Sequence, residues 1–148
     1  IASGYTFVAR SQSYNVKELT DLMVKAIKHK GIAIIDILQG CPTYNDKYTS
    51  SPWFSQHLAP LPKDYDPLVH NPDNQEEVIQ KKMQAIKILL EETQESMHTG
   101  IFFQWENPDT FEARLLNRGL KPPIDQMICD KDGRSTSDIT NIIESLKV

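Results

Sequence analysis

The most informative segment of the chain reads Ile32-Ala33-Ile34-Ile35-Asp36-Ile37-Leu38. Its nearly continuous β-branched side chains are typical of a strand buried on both faces of a parallel sheet. Upstream, residues 5–10 form a short β-prone stretch, and residues 17–30 repeat apolar side chains at helical spacing until Gly31, a residue that commonly ends helices. Together these elements predict a β–α–β unit with parallel strands and an α/β fold class.

The rest of the chain predicts fewer strands than a stable sheet needs. Residues 39–74 hold six of the nine prolines and predict a long functional loop. We expect a helix that begins at Asn71-Pro72 and runs to about residue 96, followed by a short strand or an extended segment at residues 100–105. A short helix opened by Asn107-Pro108 and closed by Gly119 comes next, and Ser135 and Asp138 open a last helix. Two or three strands cannot cover their own faces and edges, so we expect a part of a larger unit. The first residue, Ile1 rather than Met, agrees with that expectation. The predicted core includes Phe7, Val8, Ile34, Ile35 and Ile37.

Composition excludes several classes of protein. Hydrophobic residues make up 39% and charged residues 24%, as in a globular domain. With 16 basic and 20 acidic side chains the net charge is −4, which argues against binding to a nucleic-acid backbone. No run approaches the ~20 apolar residues of a membrane span, and no signal peptide is visible. We therefore expect a cytoplasmic protein that binds neither nucleic acid nor membrane.

Common catalytic and metal motifs are missing from the sequence. It has no glycine-rich phosphate loop, no G-x-S-x-G and no H-E-x-x-H. The two cysteines have neither the number nor the spacing of a disulfide framework or a self-contained metal site. Arg10 is predicted to form a salt bridge at the sheet end. Surface or capping roles are predicted for the four histidines, which are His29, His57, His70 and His98.

Cys41 is the exception because it follows the predicted buried strand by three residues. Ligands of parallel α/β sheets bind outside the carboxyl ends of the strands. The flanking Gly40 and Pro42 would let backbone approach a cofactor closely. Position alone leaves a small buried thiol as the alternative for Cys41. For Cys129 a buried thiol without a functional role is the prediction.

Three ordered segments, residues 2–10, 26–31 and 34–45, resemble the carboxyl-terminal half of the β subunit of 2-oxoacid:ferredoxin oxidoreductases. Residues 99–103 and 107–112 are similar to the closing segment of that family. The resemblance implies part of a thiamin diphosphate-binding fold with a mainly parallel sheet, followed by a mostly helical carboxyl-terminal extension. It places residues 1–55 in the thiamin diphosphate-binding domain and residues 56–148 in a long loop and helical region packed on the same unit.

The resemblance also implies cofactors and partners. The family's enzymes use thiamin diphosphate and Mg²⁺ to decarboxylate a 2-oxoacid, pass electrons through a [4Fe–4S] cluster to ferredoxin, and transfer the acyl group to coenzyme A. The implied protein partners are the amino-terminal half of the β subunit and a catalytic α, or α and γ, subunit. The segment alone is expected to be inactive, because the diphosphate and Mg²⁺ residues belong to the amino-terminal half.

One cluster ligand of the family falls on Cys41, and the other three cysteines belong to the amino-terminal half. By hydrogen bonding, Thr43 and Asn45 are expected to shape the surroundings of the cluster and tune its potential. No catalytic residue is assigned within the chain. Gly40 departs from the family pattern, since many members have proline there.

Two other functions stay open at this level. The chain is either a non-catalytic α/β interaction module without a cofactor, or part of a thiamin enzyme of the same fold without a cluster.

The aromatic residues of the long loop have two alternative roles: they line an inter-subunit surface, or they pack the loop onto its own domain. These are Tyr44, Tyr48, Trp53 and Phe54.

Overall fold

The structure is a computed structural model that describes residues 1–106, 110–121, 127, 129, 131–134 and 139–146. Its contacts divide the chain into two units, Ile1–Thr110 and Phe111–Val148. The family domain boundary between residues 55 and 56 stays a prediction. Among the described residues, no helix combines the length and the apolar composition that crossing a membrane requires.

The first unit begins with the predicted β–α–β arrangement, which is confirmed. Strand β1 (Phe7–Gln12) and strand β2 (Ala33–Leu38) are parallel, and helix α1 (Val16–Lys28) connects them. The Asn15 side chain caps α1 by accepting the backbone N–H of Glu18 at 3.3 Å. Phe7 and Leu22 form the buried core between sheet and helix.

The burial predicted for β2 on both faces is wrong. The strand order is β2-β1-β4-β3, where β3 is Leu58–Pro60 and β4 is Met97–Gln104, so β2 lies at an edge. Ile35 packs in the core cluster under α1, whereas Ile34 is 42% exposed and Ile37 is 39% exposed. Neither belongs to the described core. Because side chains alternate along a strand, Ile34 lies on the face opposite the α1 core, whereas Ile37 shares a face with Ile35 but lies near the end of the strand and stays exposed.

The region predicted as a long loop is partly regular, which corrects the prediction. It contains helices α2 (Pro42–Asn45) and α3 (Ser51–His57) and strand β3. Strand β3 pairs in parallel with β4, and β4 pairs antiparallel with β1. Two of the three strand pairs are parallel, which agrees with the predicted mainly parallel sheet.

Helix α4 (Gln75–Glu91) packs on the sheet through a second core cluster that includes Val78, Ala85 and Phe103. Its predicted start at Asn71-Pro72 is wrong. The cap is Asn74, whose side chain accepts the backbone N–H groups of Glu76 and Glu77. The helix also ends at Glu91, several residues before the predicted end.

The second unit contains helices α5 (Phe111–Asn117) and α6 (Thr140–Ser145) among its described residues. Gly119, with φ +75°, ends α5 as predicted, and its N–H donates to the carbonyl of Leu116 at 2.8 Å. Cys129 is exposed, so its predicted burial is wrong. The predicted starts at Asn107-Pro108 and at Ser135 and Asp138 lie outside the described residues.

Candidate functional site

Cys41 lies where β2 leaves the sheet, at the cap of α2. Its side chain is half-buried. Its N–H donates to Thr49 Oγ1 at 3.0 Å, and its carbonyl accepts the N–H of Asn45 at 2.8 Å. The sulfur forms no cap hydrogen bond. The backbone of Cys41 is therefore fixed on both sides, while its thiol is available for another partner.

Thr49 and Tyr14 hold this turn from the other side. The Thr49 hydroxyl donates to the carbonyl of Asn45, and the Tyr14 hydroxyl donates to the carbonyl of Thr49 at 3.4 Å. A Cβ atom at Gly40 would overlap the Tyr14 hydroxyl and lie 2.9 Å from the Thr49 carbonyl oxygen. A side chain at position 40 would therefore force this turn to shift, which favours glycine there. The sequence alone did not identify Tyr14 or Thr49.

The two residues predicted to surround Cys41 differ in placement. Asn45 belongs to its hydrogen-bond network through both backbone groups, and Asn45 Oδ1 accepts the N–H of Tyr48 at 3.0 Å. Thr43 is exposed on α2. The structure therefore brings Asn45 against Cys41 and leaves Thr43 at the surface.

The aromatic residues next to this turn mostly pack within their own unit. Phe54 is buried, and its ring centroid lies 5.8 Å from that of Tyr14. The Trp53 ring stacks on His57 with a centroid distance of 4.2 Å. Tyr44, by contrast, is 92% exposed. Trp53 and Phe54 thus pack the segment onto its own domain, which is one of the two predicted alternatives.

The donor set tests whether a metal cluster fits this site. Among the described residues, no group of three or more His, Cys, Asp or Glu side chains could hold a metal ion. A [4Fe–4S] cluster takes four thiolate ligands. Cys41, with its uncommitted sulfur, fits the role of one ligand, and the other donors would have to come from outside these residues.

A partly buried ionic cluster connects the sheet to the end of α4. Arg10 contacts Asp36 at 2.9 Å and Glu92 at 2.6 Å, which confirms its predicted salt bridge. Burial opposes the charge of Arg10, but the hydrogen bonds to Glu92 and Asp36 outweigh it and raise the pKa of Arg10. Glu92 also accepts the backbone N–H of His98 at 2.8 Å. Nothing in the local sequence pattern indicated Glu92 as the partner.

His29 caps the carboxyl end of α1, which confirms the capping role among the two predicted, and it is buried rather than at the surface. Its Nε2 lies 2.7 Å from Thr6 Oγ1, and its Nδ1 lies 3.9 Å from Glu106 Oε1. Burial lowers the pKa of His29, and the Glu106 carboxylate offsets only part of that effect. A buried neutral imidazole in this position supports the fold rather than a metal site.

A comparison with protein families matches more than half of the chain. A family model described as the carboxyl-terminal part of the pyruvate ferredoxin oxidoreductase β subunit matches residues 41–118. The match begins at Cys41.

Curated relatives with ferredoxin oxidoreductase β-subunit names match a larger share of the chain than the family model does. A 2-oxoacid:ferredoxin oxidoreductase subunit β of Saccharolobus solfataricus is 37% identical over 153 residues, covering 100% of this chain and 48% of the relative. A corresponding subunit of Aeropyrum pernix is 43% identical over 140 residues, covering 90% of this chain and 42% of the relative. The chain thus spans about half the length of the curated relatives it matches.

A solved structure confirms the fold. A 2-oxoglutarate:ferredoxin oxidoreductase from Magnetococcus marinus, with 2-oxoglutarate, coenzyme A and succinyl-CoA bound, matches with a TM-score of 0.61 and 21% identity. The match covers 99% of this chain and 42% of that chain.

Proposed function

The chain belongs to the family of pyruvate ferredoxin oxidoreductase β subunits, whose carboxyl-terminal part it contains, and we propose that it works within a 2-oxoacid:ferredoxin oxidoreductase. The proposed reaction converts a 2-oxoacid and coenzyme A into an acyl-CoA and CO₂. Ferredoxin accepts the electrons. The identity of the curated relatives over the whole chain supports this assignment.

Electron balance explains why the reaction needs a cluster. Loss of CO₂ from a 2-oxoacid leaves an acyl unit at the oxidation level of an aldehyde, which must lose two electrons to become a thioester. Ferredoxins accept electrons one at a time, so the two electrons must leave in single steps, and a one-electron carrier between the substrate and ferredoxin suits that transfer. When bound, thiamin diphosphate with Mg²⁺ supplies the chemistry of decarboxylation, and a [4Fe–4S] cluster supplies the one-electron steps.

Cys41 is the residue by which this chain contributes to that reaction, and we assign it as one thiolate ligand of the cluster. The supporting observation is its position at the carboxyl end of β2, with a fixed backbone and an uncommitted sulfur. Asn45 holds the same turn, and Thr43 is proposed to act on the surroundings of the cluster from α2. The remaining three ligands and the Mg²⁺ and diphosphate residues belong to the amino-terminal half of the β subunit.

The edge position of β2 supports the proposed assembly. Ile34 and Ile37 are exposed, and the outer edge of β2 pairs with no other described strand. An unpaired edge with exposed isoleucines suits further strands. We propose that the amino-terminal half of the β subunit supplies them, and that residues 1–55 complete the thiamin diphosphate-binding domain. The α, or α and γ, subunits would complete the cytoplasmic enzyme.

Activity of the assembled complex tests this proposal. The complex containing this chain is purified without oxygen and supplied with ferredoxin, coenzyme A and either pyruvate or 2-oxoglutarate. Reduction of ferredoxin that requires both coenzyme A and a 2-oxoacid is the expected result. Decarboxylation without ferredoxin reduction would indicate a thiamin enzyme without a cluster. A complex that binds no thiamin diphosphate and no iron would indicate a non-catalytic interaction module.

A further inference from the structure

An apolar groove lies between α4 and β2, on the face of the sheet opposite α1. The side chains of Val8, Ile34 and Leu89 are among those that line it, and its volume is about 280 Å³. We propose that an amphipathic helix from the amino-terminal half of the β subunit packs into this α4–β2 groove. The proposal rests on the proposed function, which supplies that half, and it adds a helix to the strands already assigned to it.

The floor of the groove is a strand face that α4 does not cover. Helix α4 packs on β4, where its core cluster includes Phe102 and Phe103. Strand β2 is two strands away from β4 in the order of the sheet. Ile34 lies on the same face of the sheet as α4 but stays outside the core cluster and is exposed.

The spacings of helices and strands place a second helix over β2. Packed helices lie about 8–10 Å apart, whereas neighbouring strands of a sheet lie about 4.8 Å apart. A helix that packs beside α4 therefore lies about two strands away from the strand that α4 covers. Since α4 covers β4, that second strand is β2. One helix can thus contact α4 and cover Ile34 together.

Helix α4 has an exposed apolar stripe on the side where this helix would lie. The stripe consists of Ile79, Met83, Ile86 and Leu90, which repeat at helical spacing. All but Ile86 are more than half exposed. Leu89 lines the α4–β2 groove, and Ile88 lies on the other flank of α4 near Tyr65. A rotation of about 100° per residue carries Leu90 beyond Leu89 and away from Ile88, so the stripe borders the groove.

Chain length and the position of Ile1 favour the amino-terminal half as the occupant. The chain covers 48% of each of two curated relatives, so these β subunits are about twice as long. Ile1 lines the groove and packs against the core cluster of α4. Residues joined before Ile1 would therefore start at the rim of the groove. The unpaired edge of β2, assigned to the same half, continues this apolar surface.

Photocrosslinking in the assembled enzyme identifies the occupant. Benzoylphenylalanine replaces Met83 or Leu90 in the full-length β subunit, and mass spectrometry identifies the peptides that become linked. Gln84 is the matched control, since it is exposed and lies on the flank of α4 near Tyr65. Positions 83 and 90 should link to peptides of the amino-terminal half within a single β subunit, and position 84 should not. Links from positions 83 and 90 to another subunit or to a second β subunit overturn the proposal.

Thiol labelling with smaller side chains keeps the proposal testable if the photoreactive variants do not assemble. Met83→Cys, Ile34→Cys and the control Gln84→Cys are treated with a maleimide in the assembled enzyme, and mass spectrometry follows modification of each site. A covered groove should make Met83→Cys and Ile34→Cys react about tenfold more slowly than Gln84→Cys. Labelling of either variant as fast as the control overturns the proposal.

Ferredoxin reduction by the wild-type complex separates this failure from failure of the proposed function. If the complex reduces ferredoxin but positions 83 and 90 link to another subunit, only the assignment of the groove falls. If these positions link to the amino-terminal half but the complex neither binds thiamin diphosphate nor reduces ferredoxin, the assignment of the groove stands and the proposed function falls.

Discussion

Glu92 illustrates how single residues join distant parts of this chain. Its carboxylate, 8% exposed, accepts hydrogen bonds from Arg10 on β1 and from the backbone N–H of His98 on β4. A buried charge that loses its partner is costly because its desolvation is no longer compensated. The same reasoning makes Glu92 a sensitive position for substitution.

Glu92→Gln is expected to lower the free energy of unfolding by about 2 kcal/mol, because Arg10 keeps its charge but loses its buried counter-ion. Urea unfolding measures the change. The neighbouring Glu91→Gln is the matched control, since Glu91 is exposed and meets Lys87 at 3.8 Å, and it should cost less than about 0.5 kcal/mol. Equal effects of the two variants would show that the Glu92 contacts do not stabilise the fold.

His29 should make stability depend on pH. Burial lowers its pKa below the usual 6.5, so the unfolded chain takes up the proton more readily than the folded chain. The stability that results is complete above pH 6.5 and is lost as the pH falls through 6.5 toward the lowered value. Because His29→Gln cannot titrate, its stability should change less over that interval.

Urea unfolding of wild type and His29→Gln at pH 7.5 and at about pH 5.5 checks this expectation. The difference between the two proteins should grow in favour of the variant as the pH falls. A difference that stays constant with pH would mean that His29 is protonated equally in both states.

At the scale of elements, α4 depends on a cap that lies three residues after the predicted one. Asn74 accepts the N–H groups of Glu76 and Glu77, which would otherwise lack partners in the first turn. Asn74→Ala should therefore lower the free energy of unfolding by about 1 kcal/mol. Thermal or urea unfolding compares this variant with Asn71→Ala. A larger loss of unfolding free energy in Asn71→Ala than in Asn74→Ala would contradict the observed cap.

The sequence was informative where structure depends on local periodicity. Helix α1 follows from apolar side chains at helical spacing. Strand β2 follows from its nearly continuous β-branched run, although the same run wrongly predicted burial on both faces. The start of α4 had a readable signal as well, since Asn74 stands three residues before Glu77 in the manner of a capping box. The prolines of the preceding segment hid it, because Asn71-Pro72 imitates the same signal.

The short elements α2 and α3 were missed because proline was taken as a marker of a loop. Both helices carry proline in the first turn, at Pro42 and Pro52, where a missing N–H costs nothing. The roles of Tyr14 and Thr49 could not be predicted, since their contacts with the Cys41 turn depend on how separate segments pack. The position of Cys41 could be predicted, because it depends only on where its strand ends.

At the scale of the whole molecule, the exposed face of β2 tests whether a larger assembly exists. Ile34→Lys should change the stability of the present chain by less than about 0.5 kcal/mol, because the side chain is already 42% exposed. In the full-length β subunit the same substitution should lower the free energy of unfolding by roughly 2 kcal/mol or more, because it would bury a charge. Val16→Lys, at a 67% exposed residue of α1, is the control.

Thermal unfolding of both lengths measures these effects. The central expectation is a large difference between the two lengths for Ile34→Lys and none for Val16→Lys. Equal, small effects of Ile34→Lys in both would show that the amino-terminal half leaves this face exposed.

Substitution of Cys41 tests its role as a cluster ligand most directly. Iron content and the electron paramagnetic resonance spectrum of the reduced cluster are measured in the anaerobically purified complex for wild type, Cys41→Ser and Cys129→Ser. Cys129 is the exposed cysteine of the second unit and serves as the matched control. We expect Cys129→Ser to keep both the iron and the signal, and Cys41→Ser to lose the signal of one cluster together with ferredoxin reduction. An unchanged iron content and spectrum in Cys41→Ser would contradict the assignment of Cys41 as a ligand.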